Sequence, residues 1–135
     1  MDLKITKVLP DGTVSLAFDS QPKRVSGIDL LAQQVIVELI SDYNLYLNRG
    51  AGLQRLVEVA SPAETEKTRA NIRLAVSSAK SHIIAAQQED NLVLPAERLQ
   101  DLRIIRLSTQ SGIDWAIDIE IINILNESTS TTLNI

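Results

Sequence analysis

The sequence predicts an α+β fold: a small mixed sheet, built from an N-terminal and a C-terminal β-hairpin, packed against two or three helices. Three observations carry this. From Ile113 the chain sets Ile113, Trp115, Ile117, Ile119 and Ile121 on one face and Asp114, Ala116, Asp118 and Glu120 on the other. That is the period of a half-buried strand. Farther back, Ile72, Val76, Ala79, Ile83 and Ala86 recur at helical spacing. Strand patterns gather at the two ends of the chain and helical ones between them, which segregates the two kinds of element.

At 135 residues the default is one domain. We read residues 1–125 as a single α+β domain and 126–135 as a polar C-terminal tail. The chain is 44% hydrophobic but only 3% aromatic, so the core must be aliphatic. A net charge of −4 disfavours a nucleic-acid surface. With no cysteine there are no disulfides, thiolate metal sites or thiol nucleophiles. Residues 1–7 lack a signal-peptide run, and the apolar stretches are broken by Gln, Glu or Lys, so no membrane span is expected.

Taken in order, Leu3 to Leu9 alternate loosely into Pro10-Asp11-Gly12-Thr13, strong turn chemistry, and Val14, Leu16 and Phe18 share a face beyond it. This predicts an N-terminal hairpin. Ser26, followed three residues on by Asp29, reads as a helix cap. The helix behind it runs to about Ser41, with Ile28, Leu31, Val35 and Leu39 on one face. Asp42 to Gly52 holds Tyr43, Tyr46 and Arg49-Gly50-Ala51-Gly52. Leu53, Leu56, Val57 and Val59 suggest a short helical turn or a strand.

Ser61-Pro62 opens the longest helix, which runs to about Asp90. Pro95 ends any continuation, and Ala96 to Leu99 forms a turn of helix. Leu102 to Leu107 is a strand, Thr109 to Gly112 a turn, and Ile113 to Leu125 the last strand. The Thr-rich tail Asn126 to Ile135 is β-prone and expected to stay loose until a partner pairs with it.

Candidate chemistry is sparse. His82 is the only histidine, without a triad or zinc-site partner, and reads as structural or surface. Asp114, Asp118 and Glu120 share a strand face and could serve as an acid–base or metal-binding set. A solvated row, paired across the hairpin with Arg103 and Arg106, is the simpler reading. The Arg49 to Gly52 segment lacks the Gly-Lys-Ser/Thr of a phosphate loop and reads as a tight turn, or as a loop packing on a neighbouring subunit. Trp115 reads as core, with an interface anchor as the alternative. Tyr43 and Tyr46 are left open between contact and core.

Three segments together resemble the baseplate wedge family of contractile phage tails, whose members initiate the sheath. They are Ser26 to Ile40 running into Asn48-Arg-Gly-Ala-Gly-Leu53, then Asn71 to Lys80, then Glu97 to Ser108 followed by the amphipathic strand. The likeness covers roughly residues 26–125, in order and spacing more than in identity. The family carries a Glu-Pro-Arg motif before its closing strand pair. Glu97 and Arg98 are adjacent here with no Pro between them, a degraded form of that motif.

The resemblance implies a fold similar to the inner domain of a tail-sheath subunit, and a non-enzymatic virion component made in the host cytoplasm. It would be present in multiple copies in a symmetric assembly. Partners would be other baseplate wedge proteins, the tail sheath and the tail tube, with no cofactor, metal, nucleic acid or membrane. Binding would use strand addition along Leu102 to Leu125. Glu97 and Arg98, together with Arg103, Arg106, Asp114, Asp118 and Glu120, are the expected partner-binding residues. The competing readings are a small carboxylate-dependent glycoside hydrolase and a peptide-binding adaptor domain.

Overall fold

A computed structural model describes residues 26–42 and 50–135 in full, and residues 2–3, 6–8, 14–16 and 24–25 as backbone. Four short strands come first: β1 (Asp2–Leu3), β2 (Thr6–Val8), β3 (Val14–Leu16) and β4 (Arg24–Val25). Helices α1 (Ile28–Ile40), α2 (Leu53–Glu58) and α3 (Thr65–Gln88) follow, then strands β5 (Leu99–Thr109), β6 (Trp115–Asn123) and β7 (Ser128–Asn134).

The α+β class holds, but the sheet is assembled differently from the expectation. β2 and β3 pair antiparallel as foreseen, Val8 opposite Val14, while their connecting turn and Phe18 lie outside the described residues. β1 pairs with β4 in a second two-stranded ladder. Among the described residues, neither ladder joins the C-terminal hairpin. The larger sheet is antiparallel throughout, in the order β5-β6-β7. The tail, expected to stay loose, forms the third strand of this sheet beside β6. Its Thr-rich run suits a pleated strand. Asn126, at φ 63, makes the tight reversal, and Leu133 sinks into the core opposite Ile117. The expectation of a loose tail is corrected accordingly.

Alternation along β6 places Trp115, Ile117, Ile119, Ile121 and Asn123 inward. Ile113 falls outside this strand: it lies in the turn and is exposed. β5 keeps Leu99, Leu102, Ile104 and Leu107 on the inner face despite irregular spacing. Register shifts between Leu99 and Asp101 and between Ile104 and Arg106 absorb the extra residues.

α1 and α3 cover this inner face, and α2 packs against both. Ile72, Val76, Ala79 and Ile83 of α3 meet Leu31, Val35 and Leu39 of α1 in one aliphatic core with the sheet residues. Trp115, 2% exposed, belongs to that core. The Arg69 guanidinium sits 5.3 Å from its ring centroid, and its indole N–H meets no acceptor among the described residues.

Two local expectations need correction or refinement. Ser26 does not cap α1; Gly27 holds the cap position at φ 66, with no side-chain cap. Ser61 does cap as expected, accepting from the Ala63 N–H, but it opens a 3-10 turn over Pro62–Glu64 that leads into α3.

The glycine segment folds back on α1. Gly50 donates to the buried Glu38 carboxylate at 2.8 Å, and Gly52 donates to the Ser41 carbonyl at 2.8 Å. This is the tight-turn reading. Tyr43, Tyr46 and Arg49 lie outside the described residues.

Candidate functional site

The outer face of the sheet carries the charged residues singled out in the sequence. Register sets Arg103 opposite Glu120 and Arg106 opposite Asp118. Arg103 and Glu120 form the foreseen cross-strand pair, Nη2 to Oε1 at 2.9 Å. Asp118 turns the other way and accepts from the Thr132 hydroxyl of β7 at 2.6 Å. The acidic row therefore stitches β6 to both neighbours. Asp114 is separate from it. It sits in the β5–β6 turn, where its carbonyl accepts from the Thr109 hydroxyl at 2.6 Å.

Asp101, not foreseen, anchors α3 to β5. Lys80 reaches its Oδ1 at 2.7 Å, and Arg103 reaches Oδ2 at 3.5 Å. The Lys80 ammonium holds the Asp101 carboxyl below the ordinary aspartate value, outweighing the desolvation that pushes it up. The Leu102 N–H and the Arg103 charge add to the lowering.

Glu97 and Arg98 are brought together but spend their polar groups inside the domain. Glu97 is buried and accepts from the Gly27 N–H at 3.2 Å. Arg98 closes the end of α3. Its guanidinium donates to the carbonyls of Gln87 at 2.7 Å, Asp90 at 2.8 Å and Val93 at 3.2 Å. The Gln87 carbonyl is one that the end of α3 leaves without an intrahelical partner, and those of Asp90 and Val93 belong to the loop that follows.

Two buried amides complete this corner, and sequence reasoning passed over both. Gln87 donates to the Glu97 carbonyl at 2.8 Å and accepts from the Leu99 N–H at 2.7 Å. Asn123 donates to the Ala96 carbonyl and the Glu127 carboxylate, both at 2.9 Å. The signal was present in each case. Gln87 falls four residues after Ile83 on the core face, and Asn123 keeps the inward parity of β6. A polar residue at an apolar position announces a buried hydrogen bond.

The two edges of the sheet differ. β5 carries two register shifts, α3 lies along it, Lys80 reaches Asp101, and Arg69 caps the Leu107 carbonyl at 2.8 Å. Bulges, charge and a covering helix are all devices that block further pairing. β7 has no register shift and no charged residue, and among the described residues no strand other than β6 pairs with it, although α1 packs against it. Its seven residues, Ser-Thr-Ser-Thr-Thr-Leu-Asn, contain no charge and no proline. Its register with β6 runs without a shift from Ser128 to Asn134. β3 comes near β7 but shares no ladder with it.

No family model, curated protein or solved structure matches this chain. Among the described residues, no helix is long and apolar enough to cross a membrane. No group of three or more His, Cys, Asp or Glu among them could hold a metal ion.

Proposed function

We propose that this chain is a structural component of a contractile tail baseplate, binding wedge subunits and initiating the sheath by β-strand addition. The observation that carries the reading is the contrast between the sheet edges: β5 is bulged and tied to α3 by ion pairs, while β7 is uncharged, unbulged and, among the described residues, paired only with β6. An incoming strand would pair with the outer edge of β7. The order of the three segments that resemble the sheath-initiator family supports the same reading. Its partners are sheath, wedge and tube proteins, and it acts in the virion in several copies.

The proposed contact residues shift with the geometry. Asp118 and Glu120 hold β7 and β5 in place, and Glu97 and Arg98 brace the domain. Their part in assembly is to present the edge. The same edge also favours the adaptor reading, in which a free peptide adds to β7 outside any tail particle.

The test is a charge placed on the edge without removing the strand. Ser128→Lys with Ser130→Lys should leave a folded protein whose baseplates fail to nucleate sheath. Normal sheath on such baseplates would sink the proposal. Loss of binding to free peptides, with sheath assembly intact, would favour the adaptor.

A further inference from the structure

The corner braced by Arg98 presents an apolar surface that the fold does not use. The 91–94 turn and the 123–126 turn flank this residue. Its Nε donates to the Val93 carbonyl at 3.2 Å, and its own carbonyl accepts from the Ile124 N–H at 3.1 Å. Both turns push aliphatic side chains outward: Leu92 is 88% exposed, Leu94 59%, Leu125 55% and Ile124 42%. Hydrogen bonding fixes these turns, since Asp90 Oδ1 accepts from the Leu92 N–H and Asn123 Oδ1 from the Leu125 N–H. The leucines are thus held out by built structure. Exposed aliphatics grouped in this way mark interaction surfaces.

The charge around them selects the partner. Glu89 and Asp90 follow directly on the C-terminal end of α3, the negative end of the helix dipole, and α3 has no basic residue in its last turn. Acids at that position are unfavourable for the isolated domain. Glu127 adds a third exposed carboxylate beside Asn123. The sequence has no Lys or Arg from Ala85 to Glu97 or from Asn123 to Ile135. The Arg98 guanidinium already donates to three carbonyls.

We infer that this corner docks a partner protein through an apolar segment flanked by lysine or arginine. The leucines would take the apolar side chains, and Glu89, Asp90 and Glu127 the basic flanks. A second copy would bring the same acids face to face. An anionic lipid surface would be repelled by them. The inference draws on the turns at the Arg98 corner and not on the pairing edge of β7, and it stands whether or not the baseplate reading does.

The test uses the full chain and two fluorescent peptides with one leucine pattern, flanked by lysines in the first and by glutamates in the second. Anisotropy should show the lysine peptide binding at least about tenfold tighter, an advantage that salt erodes. Leu92→Ser with Leu125→Ser should abolish binding while the thermal transition stays in place. Glu89→Gln with Glu127→Gln, which removes no apolar surface and leaves only Asp90 of the three acids, should sharply reduce the preference for lysine.

Equal binding of both peptides, or of neither, overturns the inference. So does binding that ignores the leucine variants. Concentration-dependent dimers lost in the leucine variant would assign the surface to a second copy. Capture on phosphatidylserine vesicles, lost in the same variant, would assign it to lipid. Either result overturns the inference as well.

Discussion

The Glu97 carboxylate accepts the Gly27 N–H at 3.2 Å, tying the start of α1 to the turn before β5 across 70 residues of sequence. Gly27 stands at the cap of α1, where a neighbouring Ser or Asp would ordinarily satisfy a free amide. Here a distant carboxylate satisfies one, and the helix layer is thereby registered against the sheet.

Glu97→Ala should therefore destabilise the domain by about 1–2 kcal/mol, since the part-buried Gly27 amide loses its acceptor and the buried carboxylate is removed. Glu97→Gln keeps an acceptor oxygen and should cost less than Glu97→Ala. Denaturant unfolding of the two variants separates them. Equal losses would mean that packing, and not the hydrogen bond, is what Glu97 supplies.

Lys80 and Asp101 predict a pH dependence with a definite sign. The folded state holds the Asp101 carboxyl below its ordinary value of 3.8, chiefly through the Lys80 hydrogen bond. The unfolded chain therefore takes up the proton first as pH falls. The contribution is complete above pH 3.8 and is lost as pH drops through the lowered folded value. Both side chains are about a third exposed, so solvent keeps the effect small. Lys80→Met should flatten the acid limb of a stability–pH curve relative to the parent. An unchanged acid limb would show that the pair contributes nothing in solution.

Gly50 and Gly52 both have positive φ, at 94 and 64, but only one is hemmed in. A Cβ on Gly50 would overlap the Asp42 carbonyl, whereas a Cβ on Gly52 would meet open space. Gly52→Ala should cost about 1–2 kcal/mol, the left-handed penalty alone. Gly50→Ala should cost clearly more and should disturb the Glu38 contact, since the Gly50 amide must shift. Thermal unfolding of the two variants would invert the argument if Gly52→Ala were the worse.

What the sequence disclosed and what it concealed divide along physical lines. The aliphatic faces of α1, α3 and β6 were legible because burial repeats at the period of each element, except at their ends, where Ala86 is exposed beside the buried Gln87 and Ile113 lies exposed in the turn. The Arg103–Glu120 pair was legible because adjacent hairpin strands bring their faces together. The cap of α1 was misread because Ser26 offers a local partner, while the amide that matters is served by Glu97, far along the chain. The guarded state of β5 was invisible. It depends on where α3 lies, which places Arg69 against the Leu107 carbonyl and Lys80 against Asp101. The tail was misjudged because composition was weighed over register. Thr129, Thr131 and Leu133 stand opposite Ile121, Ile119 and Ile117, the inward face of β6.

That register decides how the C-terminal segment can be interrogated. Leu133 is almost fully buried against the core. Leu133→Ala should cost about 2–4 kcal/mol through the cavity it leaves. Removal of residues 126–135 would strip β7 from the sheet, uncover the inward isoleucines of β6 and leave Asp118 without the Thr132 hydroxyl. Such a protein should unfold or aggregate, and its failure to build sheath would say nothing about a joining strand. Ser128 and Ser130 point to the outer face, opposite Ile122 and Glu120, so lysines there keep Leu133 in place. Circular dichroism and unfolding of the Ser128→Lys, Ser130→Lys protein should match the parent within about 0.5 kcal/mol, as for ordinary surface changes. With the fold thus intact, loss of sheath nucleation can be assigned to the edge. A large loss of stability in the lysine variant would instead show that the outer face of β7 is covered within the domain.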